Sequence, residues 1–193
     1  GRMDEDSLRV WTAELVPLAE QVTEYRRRYL AELISDVREL ALVFEGLGEL
    51  ELDYYQGWSD QADLADVFKS DRARDLAVGA TNHGAHKADI KIKVDGVAAA
   101  DRLSRGQTKL LVYALKLAQA THYRKRVGQS CLFLLDDLPA ELDYEHRAQV
   151  VRCLNNLDCQ YSMTGVDKKD FELLVDGMAC QMFHMEHGVA SEG

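Results

Sequence analysis

Apolar residues recur in three- and four-residue steps along the first quarter of the chain. Leu15, Leu18, Val22, Tyr25, Tyr29, Leu33, Val37, Leu40 and Phe44 predict one long amphipathic helix over residues 4–45, with Pro17 marking a start or a kink. Gly46 and Gly48 close it. From Glu49 to Tyr55 acidic and apolar residues alternate, so that Leu50, Leu52 and Tyr54 share one face of a half-buried strand. A helix running from acidic to basic follows over residues 60–76, with Leu64, Val67, Phe68 and Leu76 directed inward. Alternation returns from Asp89 to Val94, where Ile90, Ile92 and Val94 form an apolar face and Lys91 and Lys93 a basic one, ahead of an Asp95-Gly96 turn.

Beyond that turn the period changes. A helix after Ser104 places Leu110, Leu111, Ala114, Leu117, Ala118 and Thr121 on one face. The run from Cys131 to Leu135 is apolar without alternation, as in a strand covered on both faces of a parallel sheet, and it ends in Asp136 and Asp137. A helix around 144–156, a strand from Gln160 to Thr164, a short helix near 168–175 and a last strand from Ala179 to Met185 complete the pattern. Strands alternating with helices predict an α/β domain over 79–193, behind a mostly helical lobe over 4–78 that contains one strand. Gly1-Arg2-Met3 reads as the remnant of an expression tag.

At 193 residues and 47% hydrophobic content the chain can bury a substantial core. It contains no signal-peptide pattern and no apolar stretch near the roughly 18–20 residues of a membrane span. Cys131, Cys153, Cys159 and Cys180 show no C-x-x-C spacing and read as packing thiols of a reducing compartment. His83/His86 and His184/His187 lack the helical i, i+4 spacing of a metal pair, so no metal is expected there.

The net charge of −10 argues at first against a nucleic-acid partner, but the charge is segregated. From Lys69 to Arg126 stand 13 Lys and Arg against five Asp and no Glu, while the rest of the chain is correspondingly acidic. Such a map can focus a positive field on one face of an acidic protein. The alternative is that these cations decorate exposed strand and helix faces. The Arg124-Lys125-Arg126 triplet closes a helix, where the dipole already favours cations, and its structural reading is the better one.

Two short elements carry candidate chemistry. Ser104 is a good N-cap and Gly106 lets a backbone come close to a ligand, so Ser-x-Gly at a helix start suits phosphate as well as it suits an ordinary capped helix. Acids at the carboxyl end of a buried strand lie where nucleotides bind in α/β sheets: one can hold Mg²⁺ and the next can orient a water.

In this order, Leu103-Ser104-Arg105-Gly106-Gln107, the strand ending in Asp136-Asp137, and Glu141-Leu142-Asp143 resemble the signature motif, Walker B strand and D-loop of ABC-type ATPases. More narrowly, His83-Gly84-Ala85-His86-Lys87-Ala88-Asp89, then a strand, an Asp-Gly turn and the signature, resemble the RecF family of bacterial recombinational-repair ATPases, of the SMC and Rad50 type. The resemblance is dense over residues 54–145 and thinner on either side. It implies the C-terminal half of an ABC-type ATPase head. It implies further that Ser104, Arg105, Gly106 and Gln107 contact ATP held by a partner copy, that Asp143 belongs to the D-loop beside the nucleotide, and that Asp136 serves Mg²⁺. Asp137, where most ABC proteins carry Glu, would orient the attacking water. ATP and Mg²⁺ are the implied cofactors, and an ATP-dependent homodimer the implied assembly. DNA at single-strand/double-strand junctions and the proteins RecR, RecO and RecA are the implied partners, in the bacterial cytoplasm near the nucleoid. Lys87, Lys91 and Lys93 are the candidate DNA contacts.

Thr164-Gly165 stands where many ABC proteins carry a switch His, which leaves the γ-phosphate sensor unassigned. No Gly-x-x-x-x-Gly-Lys-Ser/Thr phosphate loop occurs in the 193 residues, so the sequence is expected to be a C-terminal portion of about half the family's length. Alone it is expected neither to bind ATP tightly nor to hydrolyse it. A non-catalytic DNA-binding or scaffold module that kept an ATPase-like half is the alternative. A transporter ATPase fits less well, because it gives the basic strand no purpose.

Overall fold

The computed structural model describes residues 5–172, 174–175 and 177–192, so the Gly1-Arg2-Met3 assignment lies outside the described residues. The chain divides into two compact units, one running through Gln119 and one from Ala120 onward.

In the first unit, α1 (Glu5–Ala41) runs through Pro17 without interruption. Only part of the apolar series expected on its inner face is buried. Ala19, Leu30, Leu33, Val37 and Ala41 line the buried side, whereas Leu15, Leu18, Val22, Tyr25 and Tyr29 are exposed. The physical reason is rotation: Ala19 and Leu30 lie about a quarter turn around the helix from the Leu18–Val22 line, since each residue advances 100°. The sequence holds two apolar stripes, and this unit's core uses one.

Strand β1 (Leu50–Tyr55) has the predicted alternation, with Leu50 and Leu52 buried. It pairs antiparallel with β2 (Asp89–Val94), whose hairpin partner is the short β3 (Val97–Ala98). The connecting Asp95 and Gly96 both take positive φ, 51° and 78°, as a tight right-twisting hairpin requires. The apolar face of β2 is graded: Val94 is buried, Ile92 half-buried and Ile90 exposed.

Helix α2 (Leu64–Val78) starts later than the sequence pattern suggested, because Asp63 caps it by accepting from the amides of Ala65 and Asp66. Leu64 and Phe68 point inward as expected, and pack with Ala19 and Trp58. Leu76 does not; it is 39% exposed. The inward position at that end belongs to the buried Asp75, whose carboxylate accepts from the Asn82 amide at 3.1 Å and its side chain at 2.6 Å. Buried carboxylates need such partners. Asp75 thus ties α2 to the loop that carries His83 to Lys87.

Two glycines set that loop. A Cβ on Gly57 would lie 2.0 Å from the Gly84 carbonyl oxygen, and Gly84 itself has φ 129°. No side chain fits the first position, and L-residues avoid the second. The short helix α3 (Ala99–Arg102) then leads to α4 (Arg105–Val127). On α4, Leu110, Leu111, Ala114, Leu117 and Ala118 are buried as predicted and Thr121 is half-buried; His122 is a further buried residue.

In the second unit, β4 (Phe133–Leu135) pairs in parallel with β5 (Tyr161–Met163), matching Phe133 with Tyr161 and Leu135 with Met163. The parallel pairing agrees with the sequence pattern; burial on both faces does not. Leu135 is buried, but Leu134 is 76% exposed, because among the described residues β5 is the one strand bonded to β4. Helix α5 (Leu138–Glu141) follows β4, and α6 (Tyr144–Asn156) matches the predicted helix and buries Val150, Val151, Cys153 and Leu154. Helix α7 (Lys169–Glu172) is shorter than the helix expected near 168–175: Lys168, Leu174 and Val175 lie in turns or a bend. The expected last strand is a hairpin, β6 (Phe183–Glu186) and β7 (Val189–Glu192), turning through His187 and Gly188 at positive φ. Arg124 bonds the Leu157 carbonyl and pairs with Asp158 at 3.6 Å, in keeping with a structural role for that cation.

Candidate functional site

The candidate residues fall into two groups, one in each unit. In the first, Ser104 and Gln107 form a reciprocal capping box at the start of α4. The Gln107 amide donates to Ser104 Oγ at 3.3 Å, and the Ser104 amide donates to Gln107 Oε1 at 2.9 Å. Gln107 has a second task. Its Nε2 donates to the Gly46 carbonyl at 2.8 Å, which ties the helix start to the turn between α1 and β1. Gly46 has φ 83°, and a Cβ there would press on that same Nε2 at 3.3 Å.

This arrangement leaves Ser104, Arg105 and Gly106 exposed at the rim of a helix N-terminus. A Cβ on Gly106 would meet nothing within 4 Å, and Gly106 does not take positive φ. Neither crowding nor backbone conformation in this chain therefore calls for glycine, and open space lies above the first turn. Free amides and the helix dipole make that space favourable for an anion.

In the second unit the two acids sit at the carboxyl end of β4. The hydroxyl of Thr164, just past β5, joins them. It donates to Asp136 Oδ1 at 2.7 Å and accepts from the Asp137 amide at 2.8 Å, while the Thr164 amide continues the ladder to the Leu135 carbonyl at 3.0 Å. Asp137 adopts the left-handed conformation (φ 47°, ψ 41°), which Asp tolerates better than most residues. Pro139 and the fully buried Leu138 follow at once and fix the start of α5.

Asp137, Pro139, Ala140, Val166 and Asp170 line an open cleft of about 260 Å³ beside this strand end. Gly165, the neighbour of Val166 in the chain, is closely packed: a Cβ there would lie 2.6 Å from the Phe171 ring and 2.9 Å from Pro139. Asp170 is held by Arg147 Nη1 at 3.1 Å.

Asp143 has a role in α6 of its own. Its Oδ1 accepts from the His146 amide at 3.0 Å, and His146 Nδ1 lies 2.8 Å from both carboxylate oxygens. The amide bond first, then the ring bond, hold the Asp143 carboxyl below its usual range. Asp143 is thus an N-cap here, and no nucleotide role is needed to account for it.

The basic candidates separate. Lys93 Nζ stands 3.8 Å from Asp53 and 4.0 Å from Glu51 on the neighbouring strand, which offsets its charge. Lys91 is paired in register with Asp53 and lies over the Tyr55 ring, 4.9 Å from its centroid. Lys87 is exposed and has no ion-pair partner among the described residues. Those residues contain no cluster of three or more His, Cys, Asp or Glu able to hold a metal. No described helix is long and apolar enough to cross a membrane.

Sequence reasoning placed Thr164-Gly165 where many ABC proteins carry a switch His, but did not foresee the bonds of the Thr164 hydroxyl to Asp136 and Asp137, which gain meaning once β5 is known to lie beside β4.

No protein-family model matches the chain. Curated relatives do. The chain is 40% identical over 196 aligned residues to the DNA replication and repair protein RecF of Cellvibrio japonicus, covering 98% of this chain and 53% of that protein. It is 39% identical to RecF of Pseudomonas paraeruginosa, covering 100% of this chain and 52% of that protein. Among solved structures, the recombination mediator protein RecF with ATP aligns with a TM-score of 0.78 at 20% identity, over 98% of this chain and 51% of that one. An Smc head bound to the C-terminal winged-helix domain of ScpA aligns at 0.54 and 14% identity, over 96% and 48%. These structural likenesses establish the fold as part of an ABC-type ATPase head with a helical lobe. The chain spans about half the length of the curated relatives it matches. Over the half that it spans, the chain belongs to the RecF family.

Proposed function

We propose that the complete protein is a DNA repair and recombination mediator, in which ATP joins two copies and so organises a DNA-binding surface. One observation carries this reading: an exposed Ser104-Arg105-Gly106 rim at a dipole-bearing helix start, braced from behind by Gln107 and open above Gly106. A γ-phosphate presented by a second copy would be held there through helix amides and the Ser104 hydroxyl. The contact depends on the γ-phosphate, so ATP favours the closed dimer and ADP does not.

In this account Asp136 and Asp137 serve a different nucleotide from the one Ser104 touches. Asp136 keeps Oδ2 clear of any hydrogen bond among the described residues, while Oδ1 is fixed by Thr164. A hard oxygen donor so placed suits Mg²⁺, which takes one or two carboxylates and fills its shell with water and phosphate oxygens. The ion, when bound, supplies charge neutralisation for the phosphates. Asp137 would orient a water for attack, a role supported by the bond from its backbone to Thr164 at the same strand end. Asp143 would reach the nucleotide only by giving up part of its cap to α6. The names of the relatives support a role in DNA replication and repair. RecR, RecO and RecA, and a preference for junctions, are part of this proposal and rest on the family resemblance.

The coupling is tested by binding a labelled single-strand/double-strand junction to the complete protein with ATP, with ADP or without nucleotide. Tight binding is expected with ATP alone. Equal affinity in all three conditions would leave a DNA-binding module without a nucleotide switch, the alternative reading.

A further inference from the structure

Two free thiols of the second unit stand side by side at the amino ends of the parallel strands, away from the acids that serve the nucleotide. Cys131 and Cys159 each lie two residues before the first matched pair, Phe133 with Tyr161. Bonds bracket them on both sides: Ser130 Oγ donates to the Asp158 carbonyl at 3.2 Å, and the Phe133 amide donates to the Gln160 carbonyl at 3.0 Å. Neighbouring strands run about 4.8 Å apart, within the roughly 4.4–6.8 Å between Cα atoms that a disulfide spans. The thiols also share a face. Side chains alternate along a strand, so Cys131 falls with Phe133 and the buried Leu135, and Cys159 with Tyr161 and Met163. Both cysteines are half-buried, while Leu132 and Leu134 on the opposite face are exposed. Burial pushes the Cys159 thiol up, and an ionised Cys131 beside it pushes it further.

We propose that Cys131 and Cys159 form a modification site, a dithiol that a hydroperoxide oxidises to a disulfide stapling the amino ends of β4 and β5. The other two cysteines are not matched in this way: Cys153 is buried in α6, and Cys180 is exposed and lies outside any strand. Cys159 keeps its proton near neutrality and so reacts second. The Cys131 thiolate attacks one peroxide oxygen. The O–O bond breaks, and the displaced hydroxide takes up the proton that Cys131 released, leaving a sulfenic acid and one water. Cys159 Sγ then attacks the Cys131 sulfur, giving up its hydrogen bond to the Leu154 carbonyl. The S–S bond forms, the S–O bond breaks, and the hydroxide leaves with the Cys159 proton as a second water. Two thiols have then lost two hydrogens, and the peroxide has been reduced. The new bond closes a loop that carries Asp136, Asp137, α5 and α6. The strand pair is tied at both ends, by the disulfide at one and by Thr164 at the other. This inference rests on strand pairing, and a failure of the ATP-dimer reading would not disturb it.

In the test, the complete protein is reduced, freed of reductant, treated with a small excess of hydrogen peroxide, blocked with N-ethylmaleimide and digested for mass spectrometry. A peptide pair joined through Cys131 and Cys159 is expected, lighter by two hydrogens than the reduced peptides and absent after dithiothreitol. Its yield should be unchanged in Cys180→Ser and nil in Cys131→Ser. Full recovery of maleimide-blocked Cys131 and Cys159 would overturn the proposal. So would joining of Cys159 to Cys180 in the wild type, oxidation that stops at separate sulfinic or sulfonic acids, or a pair that forms only in urea. The melting temperature gives a second measurement that needs no variant. The oxidised wild type should melt several degrees above the reduced form, and dithiothreitol should reverse the shift. An oxidised form that melts at or below the reduced one would contradict the staple.

Discussion

The Thr164 hydroxyl donates to Asp136 at 2.7 Å while accepting from the backbone of Asp137 at 2.8 Å, so one side chain fixes both acids at the end of β4. Thr164→Val keeps the shape and removes both bonds. Stability of the 193-residue chain should fall by about 1–2 kcal/mol in urea unfolding, at about 1 kcal/mol for each hydrogen bond. In the complete protein ATP turnover should fall by about 10–100-fold, as when an orienting partner of a metal-site group is lost. Thr164→Ser should restore most of both. Turnover unchanged in Thr164→Val would remove Thr164 from the site.

Gln107 joins the signature turn to Gly46, and its loss should be felt as stability before it is felt as chemistry. Gln107→Ala removes half of a capping box and the Nε2 bond, together costing about 1–2 kcal/mol in the unfolding free energy of this chain. A change below a few tenths of a kcal/mol would mean that the brace carries no load.

How far the sequence revealed this arrangement depended on the range of each interaction. Ser104 was legible as an N-cap from local sequence; its reciprocal bond with Gln107, and the bond from Gln107 to Gly46 that crosses 61 positions, were not read. The alternation in β1 and β2 was visible, but not that Glu51 and Asp53 would face Lys93. That pairing turns part of a presumed DNA surface into cross-strand ion pairs. Leu76 was misplaced because periodicity weighs hydrophobicity and cannot foresee a buried Asp75 bonded to Asn82. The apolar series of α1 was read as one stripe, since a step of three or four serves a seam and a core face equally well.

The lysines should accordingly differ in effect. In the complete protein, Lys87→Glu is expected to weaken DNA binding and to lower the log–log salt slope by about 0.9 or more, the share of one phosphate contact. Lys93→Glu should change the slope less, because Glu51 and Asp53 already offset that charge. Titrating binding against salt for the two variants checks the order, and an equal or reversed effect would contradict it.

Asp143 gives a pH dependence of known sign. Its carboxyl is held below the usual range by the His146 amide and ring, so the stabilisation is fully present above the unfolded pKa of about 3.9. It is lost as pH falls through the lower folded value. Asp143→Asn keeps the cap but not the charge, and should match the wild type near neutrality in cap strength while flattening the acid limb. Urea midpoints from neutral pH down to strong acid would show this. Parallel acid limbs for the two proteins would assign that limb to other carboxylates.

The central claim is that the Ser104 rim meets ATP carried by another copy, and the most direct measurement is sedimentation velocity of the complete protein with ATP and with ADP, as wild type and as Ser104→Arg. The account predicts that the wild type dimerises with ATP alone, and that Ser104→Arg stays monomeric while its monomer binds nucleotide with nearly unchanged affinity. Dimerisation of Ser104→Arg at the same ATP concentration would contradict it.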